Sequence, residues 1–271
     1  MDKPLEKYLL VSDVDGTLIN SDGVLPERNL KTISRFIELG GRFSIATGRC
    51  AESAVRYARM FPSVAPLIVC NGSQIYDPAS GKTLWNASID KKIIDYVAGV
   101  HRRFPTSCVE MYCHDGVWCT PVNRLAKWHL DYEHVSYKTA SIDELCEMTG
   151  FKAIFVDEPE NMKKIREFVK ADGFDGVQFV ISGEQYFEVL PKGCTKGSTL
   201  KKLAELLSIP DGCTMAIGDY YNDLELLRAA DVSGVAAGAP ADVMAEAGYV
   251  CCDCGEGAVA DFIEKALCKY F

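Results

Sequence analysis

The sequence of 271 residues predicts an α/β protein whose parallel sheet is interrupted by an inserted α+β segment. Three observations lead to this prediction. Between Tyr8 and Gly72, short runs of β-forming residues alternate with helical patterns, as in the crossover units that build parallel sheets. The middle of the chain instead contains helices and hairpins. After Pro191-Lys192-Gly193 the first pattern returns.

The first part of the chain predicts three strands with two helices between them. We predict strands over 8–13, 42–46 and 67–70, and helices over 26–39 and 51–60. Leu30, Ile33 and Phe36 recur at helical spacing, and two glycines follow the first helix. A hairpin over 77–85 completes this part.

The middle of the chain, residues 86–188, is predicted to be a separate inserted domain. Its predicted elements are helices over 90–103, 124–134, 142–147 and 159–170 and strands over 107–113, 117–120, 152–156, 177–181 and 186–190. Four of its side chains, Tyr112, His114, Trp118 and Tyr186, either line a substrate pocket or pack inside the insert.

The last part completes the first domain, which therefore consists of residues 1–85 and 189–271. It predicts helices over 197–207 and 258–267, a helix that follows Asp223 and ends at about residue 230, and strands over 214–217, 234–236 and 249–252.

Composition excludes several classes of protein. The chain has 29 Lys and Arg against 38 Asp and Glu, a net charge of -9, which argues against nucleic acid or an acidic membrane as a partner. No apolar run reaches the roughly 18 residues that span a bilayer, and the first residues have no signal-peptide core. We therefore expect a cytoplasmic protein whose 12 cysteines are reduced and mostly buried. The sequence indicates no particular oligomeric state.

Polar residues follow the predicted strands at four places. They are Asp13 with Asp15, Thr47 with Gly48, Lys196 at a helix start, and Asp219 with Asn222 and Asp223. Because ligands of parallel sheets bind beyond the carboxyl ends of the strands, one sheet would bring all four groups together.

The chemistry of these groups is complementary. Carboxylates such as Asp13, Asp219 and Asp223 are oxygen ligands suited to Mg²⁺, while Thr47 and Lys196 can donate hydrogen bonds to a phosphate. A phosphate monoester repels nucleophiles until its charge is neutralised. Asp13 could then attack phosphorus and form an aspartyl-phosphate, with Asp15 as the acid and base for the leaving group and the attacking water.

These motifs resemble those of the haloacid dehalogenase-like hydrolases. The matching segments are Asp13-Val14-Asp15-Gly16-Thr17, Ala46-Thr47-Gly48-Arg49, Lys196-Gly197 and Gly218-Asp219 with Asn222-Asp223. The insert between the second and third motifs resembles that of the Cof-type sugar-phosphate phosphatases with a type IIB cap. The resemblance covers essentially the whole chain and implies a Rossmann-like core with an α+β cap.

The resemblance also implies roles for individual residues. Asp13 is the implied nucleophile and metal ligand, and Asp15 the acid and base, which also ligates metal through its carbonyl. The implied phosphate-binding residues are Thr47, Gly48, Lys196 and Asn222, and the further metal ligands are Asp219 and Asp223. Two points differ from the motif or stay open: Cys194-Thr195 replaces the expected small pair, and Lys192 competes for the role of the lysine.

The sequence therefore predicts a magnesium-dependent phosphatase for a small phosphorylated metabolite, with the insert as a lid. The acid and base pair argues against a dehalogenase, which has no leaving alkoxide to protonate. A phosphomutase, which would return the phosphoryl group to its substrate, is one alternative. A phosphate-binding protein without turnover is the other, although binding alone does not require Asp15.

Overall fold

The computed structural model describes residues 3–271 and divides them into two compact units. One unit contains the chain up to Trp85 together with Thr195–Phe271, and the other is the insert Asn86–Cys194. The last strand of the insert ends at Pro191, three residues before the end of this unit. From residue 3 onward, the chain has no helix that is long and apolar enough to cross a membrane.

The first part of the chain alternates strands with helices and ends in a hairpin. Its elements are β1 (Leu9–Ser12), α1 (Glu27–Glu38), β2 (Arg42–Ile45), α2 (Ala51–Ala58), β3 (Leu67–Val69), β4 (Gln74–Asp77) and β5 (Lys82–Asn86). The helix α1 buries Ile33 and Phe36 along one face, as its periodicity predicts.

The insert contains the next ten elements along the chain within the described residues. They are α3 (Lys91–Arg103), β6 (Cys108–Cys113), β7 (Gly116–Cys119), α4 (Arg124–Glu133), β8 (Tyr137–Thr139), α5 (Ile142–Leu145), β9 (Gly150–Val156), α6 (Pro159–Asp172), β10 (Val177–Gly183) and β11 (Tyr186–Pro191). The strand β8 was not predicted, because its three residues are partly or fully exposed and carry no alternating pattern.

The last part returns to the first unit. Its elements are α7 (Lys196–Leu206), β12 (Thr214–Gly218), α8 (Leu224–Ala229), β13 (Val232–Ala237), α9 (Ala241–Met244), β14 (Tyr249–Asp253) and α10 (Ala258–Ala266). The single turn α9 was not predicted, since four residues are too few to show a helical period.

The first unit is organised around a parallel sheet with the strand order β14-β13-β12-β1-β2. The strand β1 has neighbours on both sides: Ser12 is level with Ile217 of β12 and with Ile45 of β2. Leu9 and Val11 of β1 are fully buried. The residues that follow β1, β2 and β12 therefore lie side by side at one edge of the sheet.

The sequence pattern predicts β3 as a member of this parallel sheet, but the structure places it mainly in another sheet. It pairs antiparallel with β4, in a small sheet ordered β3-β4-β5, and touches the parallel sheet through one bridge between Ala46 and Ile68. Its three residues are fully buried and apolar, and such a run does not reveal which neighbour it pairs with.

The insert has a second sheet, ordered β10-β11-β9-β6-β7-β8. In this sheet β7 and β8 pair parallel, and the other neighbouring strands pair antiparallel. Val109, Met111 and Phe155 point to one face and pack with apolar residues of α3 and α6. Because side chains alternate along a strand, Glu110 and Lys152 lie on the opposite face, where both are buried.

Candidate active site

The acids from the two ends of the chain meet where β1 and β12 end. Asp13 follows β1, and its N–H donates to the carbonyl of Ile217 in β12 at 2.9 Å. Asp219 follows β12. Asp13, Asp219 and Asp223 each offer a carboxylate oxygen, and these atoms lie within 4.8 Å of one another. The parallel pairing of β1 with β12 thus brings together carboxylates about two hundred positions apart in the sequence.

Lys196 lies among these acids. Its Nζ is 2.6 Å from Oδ1 of Asp13 and 2.7 Å from Oδ1 of Asp223, and its side chain has no exposure to solvent. Thr195 caps the helix α7, which starts at Lys196. The competing Lys192 instead pairs with Asp175, and both of those side chains are exposed. Of the two lysines, the structure therefore joins Lys196 to the acids.

Two glycines allow the acids to approach the backbone. A Cβ atom on Gly218 would lie 2.4 Å from Cγ of Asp223, and one on Gly16 would lie 2.6 Å from Oδ2 of Asp219. Oδ2 of Asp223 accepts hydrogen bonds from the N–H groups of Asp219 and Tyr220. A side chain at either glycine would push these carboxylates out of place.

Thr17 is a site residue to which sequence reasoning assigned no role. Its hydroxyl donates to Oδ1 of Asp219 at 2.7 Å and so fixes this carboxylate beside Asp13. The signal was present, because Thr17 ends the motif that begins with Asp13.

Asp15 stands apart from the other three carboxylates. Its two oxygens accept hydrogen bonds from Nε and Nη2 of Arg49 at 2.8 and 2.7 Å. The Arg49 side chain is only 3% exposed, whereas that of Asp15 is 46% exposed. A two-point contact of this kind fixes the orientation of a carboxylate. Arg49 belongs to the motif Ala46-Thr47-Gly48-Arg49, but the sequence predicts no role for its side chain.

The predicted phosphate-binding residues Thr47 and Gly48 follow β2, the strand next to β1. Thr47 is 1% exposed, and its Oγ1 accepts a hydrogen bond from the N–H of Arg49. Asn222 follows β12, and its Nδ2 donates to Oδ1 of Asn71 at 3.2 Å. Asn71 follows β3, and the sequence places it beyond the carboxyl end of a predicted strand, where ligands are expected, but predicts no role for it.

The burial of these charges changes their proton affinity. Burial raises the pKa of Asp13 well above its ordinary value; Lys196 opposes this effect, and Asp223 and Asp219 reinforce it. Burial and the charge of Asp223 raise the pKa of Asp219 to about 6. Burial alone would lower the pKa of Lys196, but Asp13 and Asp223 raise it. Asp13 and Asp219 therefore retain a proton more readily than isolated carboxylates do.

The aromatic side chains singled out in the insert all have contacts inside it. Tyr112 is buried and donates to Glu110, and Trp118 donates to Asp115. The ring of Tyr186 lies 4.7 Å from that of His129, and the ring of His114 packs edge-on against Phe151. These contacts are what the packing alternative predicts for the four residues.

A family model described as haloacid dehalogenase-like hydrolase matches residues 10–263. An HMP-PP phosphatase of Cronobacter sakazakii is 27% identical over 259 residues, which cover 94% of each chain. The structure of a haloacid dehalogenase-like hydrolase from Bacteroides thetaiotaomicron is similar over 96% of this chain and 99% of its own, with a TM-score of 0.84 and 22% identity. A HAD subclass IIB sugar phosphatase is similar over 96% and 98%, with a TM-score of 0.82 and 19% identity. The predicted fold class is thereby confirmed.

Proposed function

Because this chain belongs to the haloacid dehalogenase-like hydrolases, we propose that it is a magnesium-dependent phosphatase that acts on a small phosphorylated metabolite, such as a sugar phosphate. The observation that carries the proposal is the buried ammonium of Lys196, bonded to Asp13 and Asp223 beside Asp219. A buried cation among carboxylates suits a dianionic phosphoryl group.

The donor atoms fit a divalent cation that prefers oxygen. Asp13, Asp219 and Asp223 offer carboxylate oxygens in one group, and the raised pKa of Asp13 and of Asp219 reflects charge that a cation would offset. The carbonyl of Asp15 is the further ligand that we propose. Of the three carboxylates, Asp223 has the least capacity left to bind a metal. Its oxygens already accept hydrogen bonds from Lys196 and from two backbone N–H groups. When bound, Mg²⁺ would neutralise charge on the phosphoryl oxygens.

Asp13 is the proposed nucleophile. Its carboxylate oxygen would form a bond to phosphorus while the bond from phosphorus to the leaving oxygen breaks, which gives an aspartyl-phosphate. Lys196, with Thr47, Gly48 and Asn222, would hold the phosphoryl oxygens during this transfer. The burial of Asp13 keeps bulk water away from the acyl phosphate that forms.

Asp15 is the proposed acid and base. It would give a proton to the leaving alkoxide and later take one from the water that attacks the aspartyl-phosphate, so that inorganic phosphate is released and Asp13 is restored. Arg49 holds the carboxylate of Asp15 on two points and so fixes its orientation.

The test is phosphate release from a panel of sugar phosphates and nucleotides, with Mg²⁺ or with chelator. HMP-PP belongs in the panel because relatives of this chain are named HMP-PP phosphatases. We expect release by the wild type with Mg²⁺, none with chelator, and a loss of about 10⁴-fold or more for Asp13→Asn.

Asp211→Asn is the matched control, because Asp211 is exposed and precedes β12 rather than following it. This variant should keep full activity. A wild type that is silent on the whole panel, or an Asp13→Asn variant as active as wild type, would contradict the proposal. Transfer of phosphate back to the substrate, without release, would favour a phosphomutase.

A further inference from the structure

The turn between β3 and β4 has an unusual backbone. Cys70, Asn71 and Gly72 all have positive φ angles, of 52°, 53° and 99°. Glycine adopts this left-handed conformation freely and asparagine tolerates it, but it is costly for most other residues. Cys70 and Asn71 are also buried. A strained and buried turn persists only where its surroundings hold it in place.

The backbone of this turn is fixed to the loop that follows β2. The N–H of Asn71 donates to the carbonyl of Thr47, and the N–H of Cys70 donates to that of Arg49, both at 2.9 Å. The turn thus runs alongside the proposed phosphate-binding residues Thr47 and Gly48.

The same turn packs against the start of the helix α7. A Cβ atom on Gly72 would lie 2.2 Å from the carbonyl oxygen of Thr195, the residue before Lys196. The Thr199 hydroxyl donates to the carbonyl of Gly72 at 2.6 Å. The position of Lys196 is therefore tied to a turn that also contacts the loop after β2.

The side chain of Asn71 lies between two further parts of the proposed phosphate site. Its Oδ1 accepts the hydrogen bond from Asn222, and a Cβ atom on Gly48 would lie 3.2 Å from its Nδ2. A larger residue at position 48 would crowd this amide, and a residue without an acceptor at position 71 would remove the hydrogen bond from Asn222.

We propose that Asn71 is a positioning residue for the phosphate site, acting through Asn222. This inference rests on the proposed function, because it assumes that Asn222 contacts the phosphoryl group. Asparagine combines a left-handed backbone with a neutral acceptor. Aspartate would add a negative charge to a site that already holds Asp13, Asp219 and Asp223.

A double-mutant cycle tests the inference, with Asn71→Gly, Asn222→Ala and the double variant in the full chain. Glycine keeps the left-handed backbone and removes only the side chain. We expect each single variant to lose about 10–100-fold in kcat/KM, as is typical when a partner of a site residue is removed. The double variant should be no worse than Asn222→Ala, within about threefold. Losses that multiply would overturn the inference.

Two further measurements separate this role from a merely structural one. The inhibition constant of inorganic phosphate should rise in Asn71→Gly, while the melting temperature stays equal to that of wild type or rises. Ser208→Gly is the matched control, since Ser208 also has a φ of 53° but lies beyond the far end of α7. It should leave kcat/KM unchanged. A lower melting temperature with unchanged phosphate inhibition in Asn71→Gly would overturn the inference.

The outcome for the wild type separates this inference from the proposed function. An active wild type with independent losses at positions 71 and 222 refutes only the role of Asn71. A wild type that neither releases nor binds phosphate refutes the proposed function, and with it the role of Asn71.

Discussion

The two units each contain a buried lysine, and their surroundings differ. Lys196 of the first unit and Lys152 of the insert have side chains that are 0% and 3% exposed. Nζ of Lys196 is bonded to Asp13 and Asp223, with Asp219 in the same group of carboxylates. Nζ of Lys152 lies 2.8 Å from Glu188 and 5.0 Å from the centre of the Tyr112 ring.

The difference lies in the balance of charge. Three carboxylates lie around the ammonium of Lys196 in the first unit, whereas Lys152 of the insert forms a salt bridge with Glu188. Such a buried ion pair is compatible with a purely structural role, although its desolvation makes it costly to break. A surplus of buried acid lowers stability by itself and is favourable only when a cation from outside joins it. A cation at Asp13, Asp219 and Asp223 would offset this surplus, which is the basis of the metal site proposed above.

The largest expected effect comes from Lys196→Met, which removes the ammonium from among the carboxylates of Asp13, Asp219 and Asp223. We expect phosphate release to fall by about 10²–10³-fold. The free energy of unfolding without Mg²⁺ should fall by about 3–5 kcal/mol, because two buried carboxylates lose their partner. Added Mg²⁺ should raise the melting temperature of the variant more than that of wild type.

Lys201→Met, on the exposed side of the same helix, controls for the loss of a lysine and should resemble wild type. If Mg²⁺ stabilised Lys196→Met no more than wild type, the carboxylates would not form a cation site, and the contrast between the two lysines would lose its meaning.

The next effect is expected from Lys152→Met in the insert. This variant should lose stability as Lys196→Met does, but its response to Mg²⁺ should equal that of wild type. Leaving Glu188 without this cation should lower the free energy of unfolding by about 3–5 kcal/mol. Lys152→Met combined with Glu188→Gln should recover most of that loss. Urea unfolding of the two single variants and the double variant measures the coupling, and additive losses would show that the pair does not act as a unit.

The smallest effect concerns His129 of the insert, whose side chain is 12% exposed. Burial alone would lower its pKa, but the neighbouring Glu110 and Glu133 raise it to about 10, against an ordinary value of 6.5. Between these pH values the folded chain binds more protons than the unfolded chain. The stabilisation is complete below pH 6.5 and is lost as the pH rises towards 10, by at most about 1.4 kcal/mol per pH unit.

This prediction is checked by urea unfolding of wild type and His129→Gln from pH 6 to pH 10. The stability advantage of wild type should shrink as the pH rises. His134→Asn is the control. His134 is exposed, and asparagine tolerates its positive φ of 55°, so this variant should follow the wild-type curve. A wild type whose advantage is constant over this range would show that His129 is not held as a cation.

Much of the first unit was predictable because its signals are local. The period of α1, the short apolar strands and the polar residues directly after β1, β2 and β12 are all read within a few neighbouring positions. The predictions weakened where the signal was short, as for β8 and α9, and where an apolar strand could pair in more than one way, as for β3.

The sequence by itself determined the α/β class, the interruption by an insert and the set of polar groups that follow the strands. Only the tertiary structure placed Lys196, and not Lys192, among the acids. It also joined Asp15 to Arg49 and showed that Asn71 contacts Asn222. The physical reason is that periodicity and turn chemistry act between neighbours along the chain. A bond between residues 34 to 183 positions apart depends instead on the path of the whole chain, which no local pattern records.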